Sequence, residues 1–112
     1  MGSNEELKKI KKIVMLINDK KGEKIIVLDL KNLTWITDYF IITSGDSLIQ
    51  TKAIAENIIE NFKQQPISIE GLEDGKWIVI DYGEIIIHIF LEETRNYYKL
   101  EKLWADAKVV EV

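Results

Sequence analysis

Residues 76–91 read KWIVIDYGEIIIHIFL, and this stretch decides the fold. Two β-branched, apolar runs, Lys76 to Asp81 and Glu84 to Leu91, flank Tyr82-Gly83, the signature of a tight hairpin. Side chains alternate along a strand, so Ile78, Ile80, Ile85, Ile87 and Ile89 share one face and form a pure core surface. Pairing Asp81 with Glu84 would set Val79 opposite Ile86 and Trp77 opposite His88. The other face then collects Trp77, Val79, Asp81, Glu84, Ile86 and His88, apolar at its centre and acidic near the turn. Such a face is either a second buried layer or a surface that waits for a partner.

Working outward, Leu7, Ile10, Val14 and Ile17 recur at helical spacing behind Ser3 and Glu6, which stand in capping-box register. That helix is predicted from about Asn4 to Lys20, with Gly22 as its stop. Lys24 to Leu30 and Tyr39 to Thr43 read as strands. Ser47 and Gln50 cap a second helix whose stripe is Thr51, Ile54, Ala55, Ile58 and Phe62, with Pro66 just beyond its end. Ile67 to Glu70 is a short strand. From Thr94 onward Tyr97, Leu100 and Trp104 return to helical spacing, and the closing KVVEV reads as a frayed tail or a late strand. The expected architecture is α/β, of α+β character: a single domain spanning residues 1–112 (core about 4–107), with a mixed sheet of about five strands and flanking helices.

The 112 residues suit one ordinary domain. Hydrophobic residues make up 46% and charged residues 30%, a globular balance. The absence of cysteine removes disulfides, thiolate metal sites and thiol nucleophiles. No apolar run is long enough to cross a bilayer and no leader pattern opens the chain, so no membrane role is expected and the cytoplasm is the expected address. A net charge of −4 argues against phosphate neutralisation as the dominant feature.

Two features resemble chemistry. Ser44-Gly45-Asp46-Ser47 lies between a strand and a helix start, where backbone N–H groups can meet a phosphate. Polymerase-like nucleotidyltransferases use such a turn followed by paired carboxylates on two metal ions. Here the following strand reads ISIE without Asp-x-Asp, and Glu70 alone cannot hold that pair, so turn and helix cap is the ordinary reading. His88, the one histidine, has no nucleophile at a triad-like spacing and reads as a packed sheet residue. Trp104 and Tyr98 read as core aromatics. Trp77, on the mixed face, fits core and interface anchor equally. Arg95, the one arginine, reads as a partner for a neighbouring carboxylate.

The strings TDYFIITSGDSLIQTKAIAENI, IEG and WIVIDYGEIIIHIFLEETRNYYKLEKLWADA, in this order, resemble the Iojap family, whose bacterial members are called ribosomal silencing factors. The resemblance extends from about Leu7 to Ala107, and DYGEIIIHIF followed by YYKLEKLW is its most specific part. It implies a nucleotidyltransferase-like domain without the catalytic carboxylates, no enzyme activity and no cofactor. It implies a partner, large-subunit ribosomal protein L-fourteen, whose occupation would block subunit association. It also implies homodimers away from the ribosome and little direct RNA contact, since an acidic chain suits a basic ribosomal protein. Carried onto this sequence, the partner surface comprises Trp77, Asp81, Tyr82, Glu84 and Glu70. QQPISIEG is shorter than the corresponding segment of many relatives and alters the rim of that surface. The rival expectation is a residual nucleotidyltransferase or nucleotide-binding enzyme centred on Ser44, Gly45 and Ser47.

Overall fold

The Tyr82 amide donates to the Ile85 carbonyl at 2.9 Å, which makes Gly83-Glu84 the two central turn residues. Gly83 takes φ 91°, the positive value that primed hairpin turns require. Asp81 therefore sits opposite Ile86, Val79 opposite His88, and Trp77 opposite Phe90. The expected register is off by two places. An even slip leaves every side chain on its predicted face, so the isoleucine surface survives intact: Ile78, Ile80, Ile85, Ile87 and Ile89 are all buried.

The computed structural model describes residues 2–112, with side chains from Glu5 onward. The elements are α1 (Gly2–Asp19), β1 (Glu23–Asp29), β2 (Tyr39–Gly45), α2 (Leu48–Asn61), β3 (Ser68–Glu70), β4 (Trp77–Asp81), β5 (Ile85–Leu91), α3 (Glu92–Tyr98), α4 (Leu100–Leu103) and β6 (Lys108–Val109). The strands form one mixed sheet in the order β3-β4-β5-β2-β1-β6. β2 and β5 run parallel at its middle, and the other neighbours are antiparallel. The late-strand reading of the C-terminus holds, since Val109 pairs with Leu28 and adds a sixth strand.

α1 and α2 cover the isoleucine face. Ile10, Ile13, Leu16 and Ile17 from α1 meet Ile54, Ala55 and Ile58 from α2 over Val27, Ile41 and the hairpin isoleucines. At about 2 kcal/mol per buried branched side chain, the five hairpin isoleucines alone contribute roughly 10 kcal/mol before chain entropy is set against them. The α1 stripe lies one step round from the predicted one: Leu7 and Val14 flank it and are only half-buried. The capping box expected of Ser3 and Glu6 falls on a side chain, Ser3, outside those described.

α1 ends in a Schellman pair, Gly22 N–H on the Ile17 carbonyl at 3.0 Å and Lys21 N–H on the Asn18 carbonyl at 2.9 Å. The left-handed residue is Lys21, at φ 62°, and not Gly22. Glycine is needed at position 22 because a Cβ there would run into Ile17 Cγ2. Ser47 caps α2 by accepting the Gln50 amide at 3.1 Å. Gln50 Oε1 reaches the Asp46 amide at 2.7 Å, while its Nε2 donates to the carbonyls of Lys20 and Lys21. One side chain thus ties the start of α2 to the end of α1.

The opposite face carries a second core of Leu28, Leu30, Ile42, Phe90 and Leu100, with Phe40, Trp77, Trp104 and Ala107 against it. The chain from α3 to β6 covers β1, β2 and β5 on this side. The single helix predicted from Thr94 begins at Glu92 and breaks at Lys99, which takes the left-handed conformation (φ 51°, ψ 51°). The break interrupts the helical period, so Leu100 turns inward while Tyr97 and Tyr98 stay exposed.

Candidate functional site

The C-terminal cover stops short of β3 and β4, and the strip it leaves open holds much of the predicted site. Register places Ser68 beside Asp81 and Glu70 beside Val79, so these four side chains share the outer face with Trp77. Glu70, Gly71, Trp77 and Val79 line a shallow groove there. Ile86, next to Asp81 on β5, is half-buried and extends the apolar centre. Gly71 makes the bend that closes the groove: φ is 78°, and a Cβ would strike the Trp77 carbonyl.

Trp77 is held rigidly. Its ring packs on Phe90 at 4.8 Å and on Tyr98 at 4.9 Å, and its indole N–H donates to His88 Nδ1 at 3.1 Å. His88 is 7% exposed, in edge contact with Phe40 at 4.5 Å. Burial lowers its pKa to about 4. The packed-residue reading of His88 therefore holds, and Trp77 is both core and surface: one flank is packed and one lines the groove.

Two predicted members leave this face. Tyr82 is 3% exposed and stands edge-on to Phe62 at 5.0 Å in the helix-side core. It continues the Ile78, Ile80 alternation, so parity turns it inward and its side chain is not presented to a partner. Its hydroxyl has no protein partner. Glu84, in the turn, reaches towards α1 and pairs with Lys9 at 2.8 Å. Asp81 keeps to the open face and braces the turn by accepting the Gly83 amide at 2.7 Å. Trp77, Glu70 and Asp81 are brought together; Tyr82 and Glu84 are not.

At the carboxyl ends of the parallel pair the structure gathers a different set. Ser44 is buried and accepts from Arg95 at 3.3 Å. Arg95 is 3% exposed, and its Nε donates to Glu101 at 3.3 Å, so the expected pairing with a neighbouring carboxylate holds, with the arginine turned inward. Ser47 is occupied as the α2 cap. Beside them the carboxylates of Glu23, Asp46 and Glu92 lie within 4.8 Å of one another, a spacing that an oxygen-seeking divalent ion can use. The Glu23 carboxyl is pushed up, first by the charge of Asp46.

With this geometry in view, the comparisons with known proteins are specific. The family model described as "Ribosomal silencing factor during starvation" matches residues 3–112. This chain belongs to that family. A relative from Halalkalibacterium halodurans, named ribosomal silencing factor RsfS, is 40% identical over 113 residues, covering 98% of this chain and 95% of the relative. A Mus musculus protein named mitochondrial assembly of ribosomal large subunit protein 1 is 33% identical over 98 residues, which is 82% of this chain and 43% of that protein. A crystal structure of a Chromobacterium violaceum protein matches with a TM-score of 0.84 at 32% identity, covering 88% of this chain and 85% of that one. The resemblance carried by DYGEIIIHIF and YYKLEKLW, and the α+β mixed-sheet fold, are borne out.

In this silencing-factor chain, the carboxylate group at the sheet end is what local sequence reasoning misses. Asp-x-Asp is a signal within one strand, whereas Glu23, Asp46 and Glu92 come from three distant segments. The antiparallel pairing of β1 with β2 sets Glu23 beside Ser44, and the parallel pairing of β2 with β5 brings Glu92 to the same end.

Proposed function

We propose that the open β3–β4 face docks on the large ribosomal subunit, with ribosomal protein L-fourteen as the contact, and that the bound factor blocks subunit joining by occupying space. The observation that carries this reading is the uncovered strip itself. An apolar centre of Val79, Ile86 and one flank of Trp77 is rimmed by Glu70 and Asp81, on a sheet whose remaining outer face is already covered. A rigid tryptophan flank in an apolar centre is the usual energetic anchor of an interface. The acidic rim suits a basic ribosomal protein better than bare RNA, and sets orientation and association rate more than affinity. Family membership and the large-subunit assembly named in the mouse relative support the same direction. In this reading the chain acts by steric exclusion and not by chemistry.

The test is co-sedimentation with isolated large and small subunits, followed by a joining assay with the protein added first. Binding to large subunits alone, with fewer joined ribosomes, is the expected result. Binding to neither subunit at micromolar protein overturns it. Trp77→Ala should weaken binding by about 2 kcal/mol or more. Because Trp77 also packs on Phe90 and Tyr98, that variant loses fold stability as well, and its affinity must be corrected for the folded fraction.

One observation favours a second reading, a nucleotide or metal-nucleotide site beside Glu23, Asp46 and Glu92. A ligand that binds only the folded state must raise the melting temperature. A nucleotide panel with magnesium that produces no shift at saturation dismisses it.

A further inference from the structure

Trp35 is 94% exposed, next to Ile36 at 65% and near Leu33 at 45%, in the loop between β1 and β2. A nearly naked tryptophan beside two more apolar side chains is costly to leave in water and is unusual on a surface with no partner. The loop is nevertheless well built. The Leu33 and Thr34 amides both donate to the Leu30 carbonyl, at 3.0 and 3.1 Å, and the Ile36 amide donates to Thr34 Oγ1 at 3.2 Å. Its far end is fastened to the β4–β5 turn: Thr37 Oγ1 donates to the Gly83 carbonyl at 2.9 Å, and the Asp38 amide to the Glu84 carbonyl at 3.0 Å. Trp35 is thus presented on a fixed loop, at the end of the sheet where β4 terminates in Asp81.

Charge at this end is uneven. Lys9 and Lys31, the lysines nearest the turn and the loop, are engaged with Glu84 at 2.8 Å and Glu6 at 3.3 Å. Asp38 and Asp81 have no cationic partner among the described residues. An apolar tip set in acidic surroundings repels a phosphate backbone and an anionic bilayer alike, and fits a basic protein surface that offers an apolar recess.

We propose that Trp35, with Ile36, is a second anchor that inserts into a recess on a basic protein of the large ribosomal subunit. The inference rests on the docking reading above and extends the contact from the open β4 face round the turn to the β1–β2 loop. Tryptophan supplies a large rigid contact at small entropic cost, so the loop's pre-set shape converts directly into affinity.

The experiment is a binding titration of isolated large subunits with the wild type, Trp35→Ala and Trp35→Phe, alongside melting temperature and sedimentation equilibrium of the free proteins. Trp35→Ala should weaken binding at least tenfold with an unchanged melting temperature, and Trp35→Phe should recover most of the loss. Wild-type affinity in Trp35→Ala overturns the proposal. So does a variant that loses only self-association, which would make the occupant a second copy of this chain. Failure of the wild type to bind large subunits removes the docking reading itself and is seen before any variant is compared.

Discussion

The indole of Trp77 donates to Nδ1 of His88, and this fixes the imidazole as its neutral tautomer with the proton on Nε2. Protonating His88 would put a hydrogen where the acceptor lone pair must be. Nε2 itself is buried without a protein partner. The fold therefore holds this histidine neutral.

A pH dependence follows. The His88 pKa in the folded chain is about 4, against about 6.5 in an unfolded one. Between those values the unfolded state binds more protons, so stability is whole above about pH 6.5 and is lost as the pH falls towards 4. The loss is on the order of 3 kcal/mol, read as urea midpoints from pH 7 to pH 4. His88→Gln keeps an acceptor for the indole without the titration, so its stability should fall less steeply over this range. Parallel curves for the two proteins would refute the assignment.

Tyr82 offers a clean contrast between core and contact. Its hydroxyl is buried with no protein acceptor, so Tyr82→Phe removes a desolvated group and should be neutral or stabilising by up to about 1 kcal/mol. Large-subunit binding by that variant should match the wild type. A stable Tyr82→Phe protein with reduced binding would return the hydroxyl to the interface.

Arg95 and Glu101 should behave as a coupled pair. Arg95→Met leaves a partly buried carboxylate without its cation and should cost about 3 kcal/mol in chemical unfolding. Adding Glu101→Gln should restore part of that loss, because the neutral amide no longer needs a counter-charge. Strict additivity of the two substitutions would mean that the ion pair contributes nothing.

Glu70 tests the electrostatic part of docking with little risk to the fold, since it is exposed on an edge strand. Glu70→Lys should slow association with large subunits in stopped-flow mixing. The slowing should be pronounced at about 0.05 M salt and nearly gone at about 1 M, where charges are screened within about 3 Å. A salt-independent effect would point to a lost contact and not to steering.

What the sequence makes legible is whatever a local period records. The alternation from Ile78 to Ile89 identifies the core face, and Ser47 with Gln50 marks the start of α2. Register is silent in that pattern, because an even slip preserves the faces; the bond from the Tyr82 amide to the Ile85 carbonyl reveals which residues turn. Tyr82 was within reach of the same parity that fixes Ile78 and Ile80. The burial of Arg95 and the meeting of Glu23, Asp46 and Glu92 depend on β2 lying beside β5, a long-range pairing with no local trace. The exposure of Trp35 is equally invisible, since a tryptophan between two strands reads like any other apolar residue until the neighbours that fail to cover it are known.

The parallel pair at the centre of the sheet also bears on the order of events during synthesis. Tyr39 to Gly45 must wait for Ile85 to Leu91 before the middle of the sheet exists, and α1 and α2 have no isoleucine surface to close upon until then. Contacts so distant along the chain are slow to form, and here they cannot all form before Leu91 has been added. A growing copy therefore has no finished sheet, and none of the face proposed for docking, until β5 has emerged and taken its place between β2 and β4.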